Sequence, residues 1–271
     1  MAFSVIHGSP QCIWVPVKPG STIYVGGLVA LDSTAPADQG VIQMPVAVGA
    51  SNTTNLDVPL GVCIGTNNKT PAFNATYQTE YITAVAAGSV HGATTEFVGV
   101  EGYWSKGDIR AMVKIALIDP CTILRGDIRN AAVGTAPTLL TATVASTDGL
   151  GTTTNATQVT PVADQTTVYC RTGGNAGAYR ILDTTSTTVH TWTQAMNNDI
   201  AIGDTFVIVP GKPYGASFIQ LGATAAMWIE ASATPATNYY IVQTVGLNLR
   251  EAGKEYMDFR FDGDNFCSAR A

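Results

Sequence analysis

Charge is scarce in this chain: 13% of its 271 residues are Asp, Glu, Lys or Arg, about half the usual share. The 14 basic residues are outnumbered by 20 acidic ones, the formal net charge is −6, and no basic run occurs anywhere. Without a basic run there is no electrostatic grip on phosphate backbones, so nucleic acid is not an expected partner. No apolar run approaches the roughly 18–20 residues of a membrane-spanning helix, so a membrane is not an expected partner either. The first residues lack a basic n-region followed by an apolar core, and no signal peptide is expected there. No segment sustains a helical period over about 20 residues, which argues against a bundle or a long spine helix.

Residues that carry chemistry are equally sparse. The three histidines, His7, His91 and His190, have no ligand partner two to four positions away, so no metal site is expected. No Gly-x-Ser-x-Gly elbow occurs, nothing assembles a catalytic constellation, and neither an enzymatic activity nor a cofactor is expected. The five cysteines, Cys12, Cys63, Cys121, Cys170 and Cys267, form no Cys-x-x-Cys pair and are odd in number. Buried free thiols made in a reducing cytoplasm are the expectation, although spacing does not decide whether any two pair. The run Gly173-Gly174-Asn175-Ala176-Gly177 lacks a following Lys-Ser/Thr and a following helix, so it reads as a hairpin turn rather than a phosphate loop. Asp258, Asp262, Asp264 and Asn265 do not fit the twelve-residue calcium loop and read as a solvated turn. Arg125-Gly126-Asp127 spells an integrin-type tripeptide and reads as chance or as a turn.

What the chain does have is Thr, Ala, Val and 27 glycines, a composition for strands and turns. The organising stretch is residues 19–65. Pro19-Gly20 is a turn signal, Thr22-Ile23-Tyr24-Val25 is β-rich, and Gly26-Gly27 breaks it. Leu28-Val29-Ala30-Leu31 and Leu60-Gly61-Val62-Cys63-Ile64 are short apolar runs bounded by turns, suited to strands buried on both faces. Residues 11–17 contain Pro16 and read as an edge strand, because proline cannot donate to a ladder. Residues 81–87 and 91–100 read as a strand pair. Residues 109–118 alternate with period two. Gly107-Asp108, Gly126-Asp127 and Gly203-Asp204 read as turn exits before strands.

Composition shifts at Gly134 towards Thr, Gly and Ala, and four short strands over 167–210 read as a meander. After Pro210 the earlier character returns: a strand at 217–221, a short helix candidate at 223–231, and a closing hairpin of 239–249 with 256–261. The expected fold is therefore all-β. A small β-barrel or sandwich domain is built from residues 1–133 plus 211–271, with an inserted or appended second small β module at 134–210.

The strand leading to Gly26-Gly27-Leu28-Val29, a variable loop, and then Leu60-Gly61-Val62-Cys63-Ile64-Gly65 resembles the β-rich decoration (cement) proteins of tailed-bacteriophage heads. The similarity spans about residues 10–115. Tyr179-Arg180-Ile181-Leu182-Asp183 followed by Gly203-Asp204-Thr205-Phe206-Val207-Ile208-Val209-Pro210 is similar to a small β module of many phage structural proteins. The resemblance implies a virion structural protein, made in the host cytoplasm, that sits on the capsid exterior. Its implied partners are the major capsid protein and further copies of itself on the lattice, as a dimer or trimer. The alternative is a tail or fibre component that binds host-surface glycans, which an aromatic cluster on one face of the 134–210 module would favour. The first eighteen residues read as an extended arm, with Phe3, Val5, Ile6, Ile13 and Trp14 as candidate capsid contacts. On that reading, removal of residues 2–9 leaves the melting temperature nearly unchanged. The competing reading places Ile13 and Trp14 in the first strand of the chain's own sheet.

Overall fold

The structure is a computed structural model that describes residues 2–31, 40–44, 59–68, 72–84, 111–130, 135–155, 164–186, 188–222, 226–231 and 240–261. The expected strand over 91–100, the first Gly-Asp pair, His91, Trp104, Cys267 and the acidic residues beyond 261 lie outside these. The described residues form twenty strands and no helix, so the chain is all-β.

The first ten strands are β1 (Ser4–His7), β2 (Cys12–Pro16), β3 (Thr22–Tyr24), β4 (Leu28–Leu31), β5 (Val41–Gln43), β6 (Pro59–Thr66), β7 (Ala72–Asn74), β8 (Thr79–Thr83), β9 (Met112–Leu117) and β10 (Ile123–Arg129). Five of them make an antiparallel sheet in the order β2-β9-β6-β4-β5. It curls until its ends meet: Val17 bridges Val41 in parallel, and the Lys18 N–H donates to the Val41 carbonyl at 3.0 Å. Alternation then splits each strand between two cores. Val29, Cys63, Val113 and Ile115 pack with Ile23 and Ile82 from a three-stranded sheet, β3-β8-β7. Leu28, Ala30 and Val62 point the other way, into the main core. Burial on both faces is why Leu28, Val29 and Ala30 show no polar alternation, while Leu31, contrary to the expected buried run, is exposed.

The next six strands, β11 (Leu139–Thr141), β12 (Gly151–Thr153), β13 (Thr166–Cys170), β14 (Tyr179–Ser186), β15 (Val189–Trp192) and β16 (Thr205–Pro210), pair only with one another among the described residues. Their order is β11-β16-β13-β14-β15-β12, and the two ends join through an Ala142–Thr154 bridge. Hydrogen bonds from Thr143 N–H to Thr153 O (2.7 Å) and from Asn155 N–H to Thr141 O (2.9 Å) complete the seam. The second module is therefore a closed six-stranded barrel, which has no free edge. Leu140, Val168, Leu182, Trp192, Phe206 and Ile208 fill it. The expected four-strand meander missed β11 and β12, which are only three residues each, Leu139-Leu140-Thr141 and Gly151-Thr152-Thr153. In β12 the Thr152 hydroxyl donates to the Val144 carbonyl at 2.8 Å.

The chain then returns with β17 (Gly215–Ile219), β18 (Ile229–Glu230), β19 (Tyr240–Asn248) and β20 (Tyr256–Phe261) to build the main sheet, β1-β10-β20-β19-β17, with β18 parallel to β10. The hairpin of β19 and β20 is the expected closing one. The inner face of this sheet, with Leu124, Ile128, Val242, Met257 and Phe259, shares one core with Leu28 and Val62 of the curled sheet and with Tyr169, Val207 and Val209 from the outside of the barrel. Polar bonds add to that contact: Tyr179 donates to the Leu247 carbonyl at 3.0 Å, and Arg171 Nε to the Leu249 carbonyl at 3.0 Å.

Two local expectations fail. The helix candidate is not helical over residues 226–231, where β18 runs beside Ile128 and Arg129. Met227, Trp228, Ile229 and Ala231 are all fully buried, a burial on every side that an apolar run cannot distinguish from a helical stripe. Gly126-Asp127 is no turn exit but the middle of β10, paired with Met257 and Tyr256. Gly203-Asp204 does behave as expected: Gly203 has φ +96°, and the Asp204 carboxylate accepts the Ala201 N–H at 3.0 Å.

His190 lies inside the barrel at 1% exposure, between Thr154 Oγ1 (3.2 Å) and Thr185 Oγ1 (2.9 Å). Burial lowers its pKa below the ordinary value, so the folded barrel holds it neutral. The unfolded chain takes up the proton first, at about pH 6.5. Its contribution to stability is therefore complete above that pH and declines as the pH falls towards the depressed folded value. Thermal melts across this window should show a fall in stability that a His190→Asn variant lacks.

Candidate partner interface

The amino-terminal residues are not a free arm. β1 pairs with β10, Val5 opposite Leu124, and β2 pairs with β9, Ile13 opposite Ile115. Each is the outer strand of its sheet, so the edge reading holds over Cys12–Pro16, while Val17 beyond it is closed onto Val41. Phe3 is buried to 3%. Its N–H donates to the Gly26 carbonyl at 2.8 Å, and its ring meets Phe259 edge-on with centroids 6.0 Å apart. The ring occupies the space over Gly126, where a Cβ would come within 2.4 Å of it. Val5 packs against the same core. Phe3 and Val5 are thus committed to the chain's own interior, Ile13 is half-buried, and only Ile6 and Trp14 remain exposed, at 42% and 43%.

Trp14 stands on a rung with Lys114 and Gly65, and residues on one rung share a face. A Cβ added to Gly65 would meet nothing within 4 Å, so this face is open. The bulge between Cys63 and Gly65 leaves Ile64 at the same level, 44% exposed. Trp14, Ile64 and Lys114 therefore form an apolar row around one cation, beside the outer edge of β2. Ile64 and Lys114 were not legible as surface contacts, because their neighbour Trp14 lies about fifty to a hundred positions away in the chain.

Comparison with protein-family models, curated proteins and solved structures finds no match.

The remaining candidates resolve into structure. Arg125 forms a two-pronged pair with Asp258 (2.8 and 2.9 Å) and lies 3.9 Å over the Tyr256 ring, so the Arg-Gly-Asp triplet is a paired strand and not a loop. The glycine-rich run is the turn between β13 and β14: Asn175 is buried, its amide donates to the Asn198 carbonyl at 2.8 Å, and its Oδ1 accepts the Asn198 N–H at 2.9 Å. Cys63 and Cys170 are buried free thiols whose pKa values burial pushes up to about 11, far from the thiolate range that supports reactivity. Cys12 and Cys121 are exposed, contrary to the expectation of uniform burial. Of the barrel's aromatics, Trp192 and Phe206 turn inward, and Tyr169 is buried outside the barrel in the main core. No group of three or more His, Cys, Asp or Glu that could hold a metal occurs among the described residues.

One concavity stands apart. Between the loop at residues 144–150 and β15 lies an open cleft of about 400 Å³, lined by Val144, Ser146, Asp148, Leu150, Val189 and Thr191 among others. The loop is fastened from below: Trp192 Nε1 donates to the Gly149 carbonyl at 2.6 Å, and the Trp192 N–H to the Leu150 carbonyl at 3.0 Å. Asp148 Oδ1 accepts the Ser146 hydroxyl (2.6 Å) and the Leu150 N–H (3.0 Å), and the hydroxyl bond, foremost, holds this carboxyl below the ordinary carboxylate range.

Proposed function

We propose that this chain is a virion structural protein that binds the outer surface of an assembled phage capsid and stabilises it, with no catalytic role. The observation that carries the reading is the exposed row of Trp14, Ile64 and Lys114 beside the outer edge of β2. A rigid strand edge accepts an added strand through main-chain bonds, and an exposed tryptophan is the side chain most often found at the energetic centre of an interface. The partners in this reading are the major capsid protein and neighbouring copies of the chain on the lattice. Binding only to the assembled shell stabilises that shell by mass action. A net acidic protein is also suited to a surface away from the packaged genome.

The test is sedimentation of the purified chain with undecorated heads of the phage that encodes it. Wild type should pellet with the heads. Trp14→Glu, placed where the side chain is already 43% exposed, should keep its melting temperature and stay in the supernatant. Normal pelleting of that variant would remove this surface as the contact.

A further inference from the structure

We infer that the cleft between residues 144–150 and β15 is a binding site for a neutral, hydroxyl-rich ligand of sugar size, separate from the capsid-contact row. Its volume of about 400 Å³ lies in the range of small-molecule sites. Three apolar side chains face it without being covered: Val144 is 52% exposed, Leu150 43% and Val189 44%. Interspersed with them are the hydroxyls of Ser146 and Thr191 and the carboxylate of Asp148. Alternating C–H surface and hydroxyl groups is the chemistry of a saccharide ring, whose axial C–H face packs on aliphatic side chains while its hydroxyls donate to a carboxylate.

Charge narrows the class. Asp148 is held in its ionised form, and among the described residues no Lys or Arg lines the cleft. His190, which also lines the cleft, is buried and neutral with both ring nitrogens engaged by threonines. A phosphate or other anion would meet an uncompensated negative charge, so anionic ligands are disfavoured. The site is also preorganised. The loop is tied to Trp192 in the barrel interior through Gly149 and Leu150, so little ordering remains to oppose binding.

The experiment is a titration of the isotope-labelled full chain, followed by amide chemical shifts, with glucose, galactose and N-acetylglucosamine. Inorganic phosphate and putrescine serve as the anionic and cationic comparisons. At least one sugar should give saturable shifts confined to residues 144–153 and 189–191, and phosphate should give none. Asp148→Asn keeps an oxygen for Ser146 and Leu150 but loses the charge, and should weaken sugar binding about tenfold or more. Val189→Lys, at an exposed strand position, should abolish sugar binding while leaving the rest of the spectrum in place, and it decides the matter if the Asp148 variant does not fold. The inference is overturned if none of the three sugars gives saturable shifts there, if putrescine or phosphate binds the cleft in their place, or if Val189→Lys binds sugar unchanged.

Discussion

Removing residues 2–9 is expected to lower the melting temperature by on the order of 10 °C. A free arm would leave it unchanged. Phe3 alone accounts for much of the effect, because truncating a buried phenylalanine to alanine costs about 3–5 kcal/mol, and each kcal/mol shifts the midpoint of a chain this size by roughly 2–4 °C. The side chain has a socket made for it: the Gly126 backbone below, Phe259 edge-on beside it, and the Gly26 carbonyl holding its N–H. Phe3→Ala should therefore reproduce most of the loss by itself. Gly126→Ala should act on the same contact from the other side, costing about 1–3 kcal/mol by overpacking. Circular dichroism melts of the three variants check this. A truncated chain that melts with the full-length protein would show that Phe3 is not a core residue.

The second large effect is expected at the contact between the barrel and the main sheet. Glu255 has no exposed surface. Its carboxylate bonds to Nη2 of Arg171, from the end of β13, and faces Nη1 of Arg129, from the end of β10, at 3.9 Å. Arg171→Met leaves that carboxylate buried with only the more distant arginine, and should cost about 3–5 kcal/mol. Replacing both partners, as Arg171→Met with Glu255→Leu, removes the unpaired charge along with the bond. The double variant should recover most of the loss. Denaturant unfolding of the four proteins in this cycle gives the coupling directly. Additive losses would mean that the pair does not fasten the barrel.

These two contacts also mark where the sequence stops being readable. Period-two alternation in residues 109–118 is a property of neighbours, and β9 follows it. Pro16 cannot donate to a ladder wherever it sits, and β2 is accordingly at an edge. The closing hairpin has apolar alternation and a turn between its strands, all within about twenty residues. Phe3 is different. Its apolar character demands burial but does not name the site, and the missing Cβ of Gly126 acquires meaning only once the ring is seen above it. Arg171 and Glu255 stand 84 positions apart, and nothing local in either announces a partner. The short strands β11 and β12 were hidden for another reason. Each is only three residues long, and β11 buries the single apolar side chain of Leu140 while β12 buries Thr152 through a hydroxyl bond, so neither shows the pattern by which strands are recognised. The cleft on the barrel is assembled from a loop and a strand about forty residues apart, with hydroxyl side chains that carry no motif.

The proposed capsid role is tested most directly by electron cryo-microscopy of the virion to which that proposal assigns this chain. The account predicts density on the outside of the shell that accepts the main sheet, the curled sheet and the barrel, with Trp14, Ile64 and the edge of β2 against the major capsid protein. Density for the chain found only on the tail or fibres, or a shell contact made through another face with Trp14 left in solvent, would contradict it.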